Sequence, residues 1–148
     1  MLTPVVIDAS VALKWYLKKN EEFAEEALQV LSNIVFQSIP ALVPAHFYVE
    51  VGSTMYRKKP EIARKALQEL LELNFIMIEM DRQLINRCDD LLKKYPRLVF
   101  YDIVYHAIAQ TENAVLITAD KEYYEQTKEE GSIILLKDFP SDPSTPAA

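Results

Sequence analysis

Apolar positions along this chain fall into two patterns. Short solid runs alternate with longer stretches at helical spacing. Val5-Val6-Ile7 is the first solid run, and it leads straight into Asp8. Bounded runs of β-branched residues read as strands buried on both faces, as in the middle of parallel sheets. Four more runs follow: Ala41 to Val43 between Pro40 and Pro44, Phe75 to Met80, Ala114 to Thr118, and Ile133 to Leu136. The bracketing prolines allow the second run only brief pairing. Helical spacing links Val11, Ala12, Trp15 and Tyr16, and then Phe23 through Val35. It returns from Ala45 to about Arg57, in Ile62 to Leu71, and in Leu84 to Leu92 behind a capping Asp81. Asp102 to about Glu112 is a mostly apolar helix, and Asp120 begins a short one that Gly131 stops. Lys18-Lys19-Asn20 breaks the first helix, and Arg57-Lys58-Lys59-Pro60 reads as a basic turn. Strands and helices alternate without internal repeats, which predicts an α/β protein, a three-layer α/β/α domain over residues 1–140. The Ser/Pro/Ala-rich residues 141–148 read as a flexible tail.

A chain of 148 residues, half of it hydrophobic, suits one domain with a sizeable core. No apolar run reaches the ~20 residues of a membrane span, and no signal-peptide pattern opens the chain, so a cytoplasmic protein without membrane contact is expected. Cys88 is the single cysteine, which excludes an internal disulfide and a cysteine cage for zinc. His46 and His106 are the two histidines, too few for a histidine-rich metal centre. A net charge of −6 counts against broad phosphate-based binding of nucleic acid. It counts less against a nuclease with its acids gathered in one metal pocket. Two glycines, in no Gly-rich loop, leave no dinucleotide fold or P-loop.

The candidate chemistry lies in acids. Asp8 and Asp120 each follow a buried strand and precede a helix. If those strands are neighbours at a topological switch point, both carboxylates face one crevice. Asp102 opens a helix, and Glu50 sits in a helical stretch among Phe47, Val49, Val51 and Met55. Clustered carboxylates repel one another unless a cation compensates, and Mg²⁺ and Mn²⁺ prefer oxygen ligands. Each acid also has a plain structural reading. Asp8 suits a solvated turn, Asp102 and Asp120 suit helix N-caps, and Glu50 suits the polar side of its helix. Ser10 reads as a cap of the first helix. Spacing alone does not decide whether the acids meet.

The order of motifs carries a resemblance. Ile7-Asp8-Ala9-Ser10, Glu50, Tyr101-Asp102 and Thr118-Ala119-Asp120 together resemble the PIN-domain nucleases, above all the VapC-type toxins of prokaryotic toxin–antitoxin pairs. The resemblance runs from about Val5 to Phe139. It implies a central parallel sheet of about five strands in the order 3-2-1-4-5. It implies that Asp8, Glu50, Asp102 and Asp120 bind Mg²⁺ (or Mn²⁺) and are the catalytic residues, with Ser10 and Thr118 supporting the first and last acids. The implied activity is cleavage of single-stranded RNA by a metal-activated water. The implied partners are a small antitoxin, often reaching the acids with an arginine, and a second copy of the chain in a homodimer. Three positions depart from the pattern: Ser53 where an asparagine is usual, the bulky Phe100, and His106 at a usually apolar place.

Other residues carry smaller expectations. His106 reads as a partly buried histidine with one ordinary hydrogen bond, against a role on phosphate or on Asp102. His46 and Glu122 stand near candidate acids, with solvated or structural roles favoured. Arg57 to Lys59 and Lys14 are candidate phosphate contacts that equally suit solvated positions. Tyr95, Tyr101 and Tyr105 are candidate base-stacking platforms or packing residues. Cys88 reads as an inert core residue. The competing function is a non-catalytic module that binds RNA or protein. Nuclease action in RNA processing or on DNA flaps is a third reading, which the short chain disfavours.

Overall fold

The computed structural model describes residues 2–17 and 22–139. The expected helix break at Lys18 to Asn20 and the expected tail at 141–148 lie outside them. Five strands form one sheet: β1 (Val5–Ile7), β2 (Ala41–Pro44), β3 (Ile76–Ile78), β4 (Val115–Thr118) and β5 (Ile133–Leu135). Their order is β3-β2-β1-β4-β5. All pairs are parallel, so every crossover needs a helix. The helices are α1 (Ala9–Tyr16), α2 (Ala24–Phe36), α3 (His46–Lys58), α4 (Pro60–Glu72), α5 (Arg82–Lys94), α6 (Phe100–Thr111) and α7 (Lys121–Thr127). The architecture is the expected three-layer α/β/α fold with sheet order 3-2-1-4-5.

Burial explains the solid apolar runs. Val5, Val6 and Ile7 are all buried because β1 is central and covered on both faces. Each such side chain contributes about 1.5–3 kcal/mol on leaving water. Helix α6 packs on β1, β2 and β4, and α5 packs on α6. This sandwiching makes α6 nearly apolar all round, with Ile103 to Ala109 buried without a break. Helix α1 packs against β4 and α3. Gly52 of α3 permits a close approach of α4, since a Cβ there would lie 3.2 Å from Leu67 Cδ1.

The chain reverses direction of sheet growth after β3, when it returns to the other side of β1. Strands β2 and β3 extend one side, and β4 and β5 the other. Ile7 pairs with Ile117, so the carboxyl ends of β1 and β4 lie side by side. The Asp8 amide extends the ladder by donating to the Ile117 carbonyl at 3.3 Å. This is the switch point that the argument for Asp8 and Asp120 required.

Several local expectations are corrected. The Phe75–Met80 run pairs only over Ile76–Ile78, because β3 is an edge strand with β2 as its single neighbour. Phe23 stands outside α2 in a left-handed conformation, φ 59°. The basic turn is not a turn. Arg57 and Lys58 complete α3, where their charge suits the helix C-terminus, and Lys59 alone links α3 to α4. Pro60 then starts α4 at a position that has no need of its missing N–H. Asp81 caps α5 as expected, accepting from the Leu84 amide at 2.8 Å. Among the described residues, no helix is long and apolar enough to cross a membrane.

Candidate active site

Asp8 leaves β1 and occupies the N-cap position of α1, but its side chain makes no capping bond to that helix. Its Oδ2 instead accepts from two hydroxyls. One is Ser10 Oγ, in a short contact, and the other is Thr118 Oγ1 at 3.0 Å. Ser10 lies within the first turn of α1 and is not its cap, which corrects that expectation. Its hydroxyl oxygen accepts from the Ala119 amide at 3.1 Å. The Asp120 amide donates to Thr118 Oγ1 at 3.1 Å. Ser10 and Thr118 therefore stitch the ends of β1 and β4 together and fix Asp8 between them.

Asp120 does both of the jobs weighed for it. Its Oδ1 caps α7 by accepting from the Tyr123 amide at 3.0 Å, and the residue lines the same cleft as Asp8. Asp102 is not a cap. Helix α6 starts two residues earlier, at Phe100, with Val99 as its cap, and Asp102 is the third helical residue. Neither of its carboxylate oxygens receives a hydrogen bond among the described residues, although the residue is half-buried. Asp8, Asp102 and Asp120 line one narrow cleft of about 10 Å³, floored by Leu116, Thr118, Tyr105 and Tyr123. That is room for about one water-sized sphere.

Glu50 reaches this group from α3. Tyr105 Oη donates to its Oε1 at 3.2 Å, and His46 Nε2 lies 3.2 Å from the same oxygen. His46 Nε2 also donates to the Tyr101 carbonyl at 3.0 Å, which assigns the ring proton to that nitrogen. His46 thus ties α3 to α6 beside Glu50. Glu50 Oε2 has no hydrogen-bond donor among the described residues. Its helix position is half-buried, so the reading that it simply faces solvent does not hold.

The electrostatics show that the four acids share one field. Burial raises the Asp8 pKa, and the charge on Asp120 adds to the rise, against the lowering effect of Ser10 and Thr118. Burial pushes Glu50 up to about 7, with repulsion from Asp8 and Asp102 acting in the same direction. Asp102 is pushed up to about 6 by burial and by the charges of Asp8 and Asp120. Carboxylates gathered in this way raise one another's pKa, and a cation bound among them would offset that repulsion.

The donor set fits a hard divalent ion. It consists of oxygens alone, and those of Asp102 and Glu50 Oε2 have no competing donor among the described residues. Among the described residues, no three His, Cys, Asp or Glu side chains stand close enough together to hold a metal ion by themselves. Mg²⁺ needs no such trio, since it commonly keeps several waters beside one or two carboxylates.

The remaining candidates fall away from this centre or support it. His106 is fully buried, more deeply than expected and with two polar partners. Its Nε2 donates to the Gly131 carbonyl at 2.8 Å, so its Nδ1 accepts from Tyr123 Oη at 3.0 Å. It touches neither Asp102 nor solvent, and burial lowers its pKa. Tyr105 is fully buried and so is no stacking platform. Tyr95 Oη is engaged by Glu130 Oε1 at 2.9 Å. Tyr101 and Phe100 are half-exposed beside Asp102. Cys88 is buried, as expected. Lys14 sits in the last turn of α1, and Arg57 and Lys58 are exposed at the end of α3. A wider groove of about 390 Å³ adjoins the cleft, sharing Asp102, Asp120 and Tyr123, and includes Glu122 and Arg97. Tyr123 and Arg97 had no signal in the sequence, because an aromatic residue one helical turn after Asp120 reads as packing and a lone arginine after a helix reads as solvated.

Solved structures of known proteins share this fold. A toxin–antitoxin complex from Klebsiella pneumoniae contains a similar chain, with TM-score 0.64, 16% identity, and coverage of 89% of this chain and 97% of that one. VapC20 of Mycobacterium tuberculosis, a sarcin–ricin loop cleaving toxin, is similar at TM-score 0.64 and 12% identity over 82% of this chain and 94% of its own. VapBC2 from Rickettsia felis, solved on a DNA fragment of its promoter, gives TM-score 0.62 and 16% identity over 88% and 96%. No curated protein matches the chain in sequence. Identities this low establish a shared fold. The PIN domain model, in contrast, matches residues 5–129, from the first strand past the last acid, and the chain belongs to the PIN domain family.

Proposed function

We propose that this protein is a metal-dependent endoribonuclease that hydrolyses single-stranded RNA and serves as the toxin of a toxin–antitoxin pair. The observation that carries this reading is the meeting of Asp8, Asp102 and Asp120 around one cleft, with Glu50 coupled to Asp8 and Asp102. The resemblance of the fold to toxins, one of them named for cleaving an RNA loop, supports the substrate class. Asp8, Glu50, Asp102 and Asp120 are the residues that would hold Mg²⁺ or Mn²⁺. Such an ion, when bound, supplies acidification of a water and neutralisation of charge on a phosphate.

The chain's own part is positioning. Ser10 and Thr118 hold Asp8 to one orientation. Tyr105 and His46 hold Glu50. The α7 amide holds Asp120. Among the described residues that line the cleft there is no serine, cysteine or histidine to act as a nucleophile, and the Ser10 hydroxyl is engaged by Asp8. The proposed partners are an antitoxin that masks the acids with a basic group and a second copy of the chain.

Calorimetric titration with Mn²⁺ tests the reading, on wild type and on Asp8→Asn combined with Asp120→Asn. Binding to wild type that is lost in the double variant, together with RNA cleavage that EDTA abolishes, is the expected result. A folded wild type that takes no Mn²⁺ and leaves single-stranded RNA intact overturns it in favour of a non-catalytic module.

A further inference from the structure

The acid cleft is too narrow for a nucleotide, and the wider groove beside it offers the nearest room. At one end this groove shares Asp102 and Asp120 with the cleft. It continues between the 97–99 loop and α7, where Glu122 and Gln126 line it. Arg97 is the single cation among the described residues that line it. It is exposed, and it makes no hydrogen bond or ion pair among the described residues. An arginine that lines the same groove as Asp102, Asp120 and Glu122, with no ion pair among the described residues, is placed to receive an anion.

The loop that carries Arg97 is anchored on both sides. Tyr95 Oη donates to Glu130 Oε1 at 2.9 Å, and the Leu98 amide donates to the Tyr95 carbonyl at 3.1 Å. Leu98 packs against the core. The guanidinium therefore stands on a fixed base, which limits the entropy lost on binding. The net charge of −6 gives the protein little general attraction for a polyanion, so one local cation matters more here than on a basic surface.

We infer that Arg97 receives a phosphate of the RNA strand next to the one that is cleaved, so that the substrate lies along the groove between the 97–99 loop and α7. The inference rests on the ribonuclease reading and adds the direction of the strand's path to it. Arg97 is a positioning residue for the substrate and takes no part in the bond cleavage itself.

The test uses the full chain with a fluorescent single-stranded RNA oligonucleotide of mixed sequence. Binding is read in EDTA at several salt concentrations, and cleavage is read separately in Mg²⁺. Arg97→Ala is expected to raise Kd and KM about five- to tenfold, with kcat unchanged. The slope of log K against log salt should fall by about 0.7, as for one lost phosphate contact on a single strand. Arg97→Lys should restore the slope and part of the affinity, a recovery that a merely structural arginine would not show. Unchanged Kd and salt slope in a folded Arg97→Ala variant overturn the inference and leave the ribonuclease reading standing. A fall in kcat with KM unchanged overturns it as well. A wild type that neither binds nor cleaves RNA removes both.

Discussion

Thr118 donates its hydroxyl hydrogen to Oδ2 of Asp8 at 3.0 Å, joining residues 110 positions apart. The same hydroxyl oxygen accepts from the Asp120 amide, so one side chain links the first and last acids. Thr118 is buried, and valine has nearly its shape. Thr118→Val leaves the Asp120 amide without its acceptor and removes one of the bonds that favour ionised Asp8. The expected cost is about 1–3 kcal/mol in urea unfolding, with weaker Mn²⁺ binding by calorimetry. Thr118→Ser should retain most of both. A valine variant as stable and as avid for Mn²⁺ as wild type would show that the link carries nothing.

The raised acids make stability depend on pH with a definite sign. Glu50 and Asp102 hold protons in the folded state up to about 7 and about 6, above their ordinary values of 4.5 and 3.8. The native state therefore binds more protons than the unfolded chain between pH ~4 and ~7, and stability falls as pH rises through that window. In metal-free buffer, the thermal midpoint of wild type should drop between pH 4.5 and 7.5. Glu50→Gln should flatten the drop. Added Mg²⁺ should raise the midpoint at pH 7.5 and do little at pH 4.5, by preferential binding to the folded, ionised site. Equal slopes for wild type and Glu50→Gln would mean that Glu50 ionises in the native protein as it does in water.

His106 contributes in the opposite direction. Its ring is neutral in the core, with pKa lowered by burial. The unfolded chain then binds the extra proton, and stability falls as pH drops below about 6.5. His106→Leu removes that dependence. It also strands the Gly131 carbonyl and the Tyr123 hydroxyl, at an expected cost of about 2 kcal/mol at pH 7. Denaturant unfolding at pH 7 and pH 5.5 reads both effects, and an unchanged midpoint at pH 7 would contradict the two bonds.

Burial pushes the Cys88 thiol up to about 11. The thiolate is the reactive form, so at pH 8 native protein should react with a disulfide reagent far more slowly than urea-unfolded protein. Equal rates would place Cys88 at the surface.

The solid runs Val5–Ile7 and Val115–Thr118, the prolines around Ala41–Val43 and the Asp81 cap are local physics. They fix the elements they form, and with them the α/β class. The solid runs also mark Asp8 and Asp120, each an acid at the end of a buried strand, while Glu50 and Asp102 stand out only through the order of the motifs. Tertiary structure decided what those acids are. Asp102 and Asp120 look alike as helix caps in the chain, yet only Asp120 caps, because α6 begins at Phe100 and carries Asp102 inside its first turn. Ser10 looks like a cap and is instead a bridge to Asp8 and Ala119. Tyr105 and Tyr101 share helical spacing, but one is sealed against Glu50 while the other stays half-exposed. The pairing of β1 with β4 made the difference, since it is a contact between residues about 110 apart that no local pattern encodes. Distance and burial arise only when that pair forms. From them follow the raised pKa values, the shared cleft and the groove that ends at Arg97.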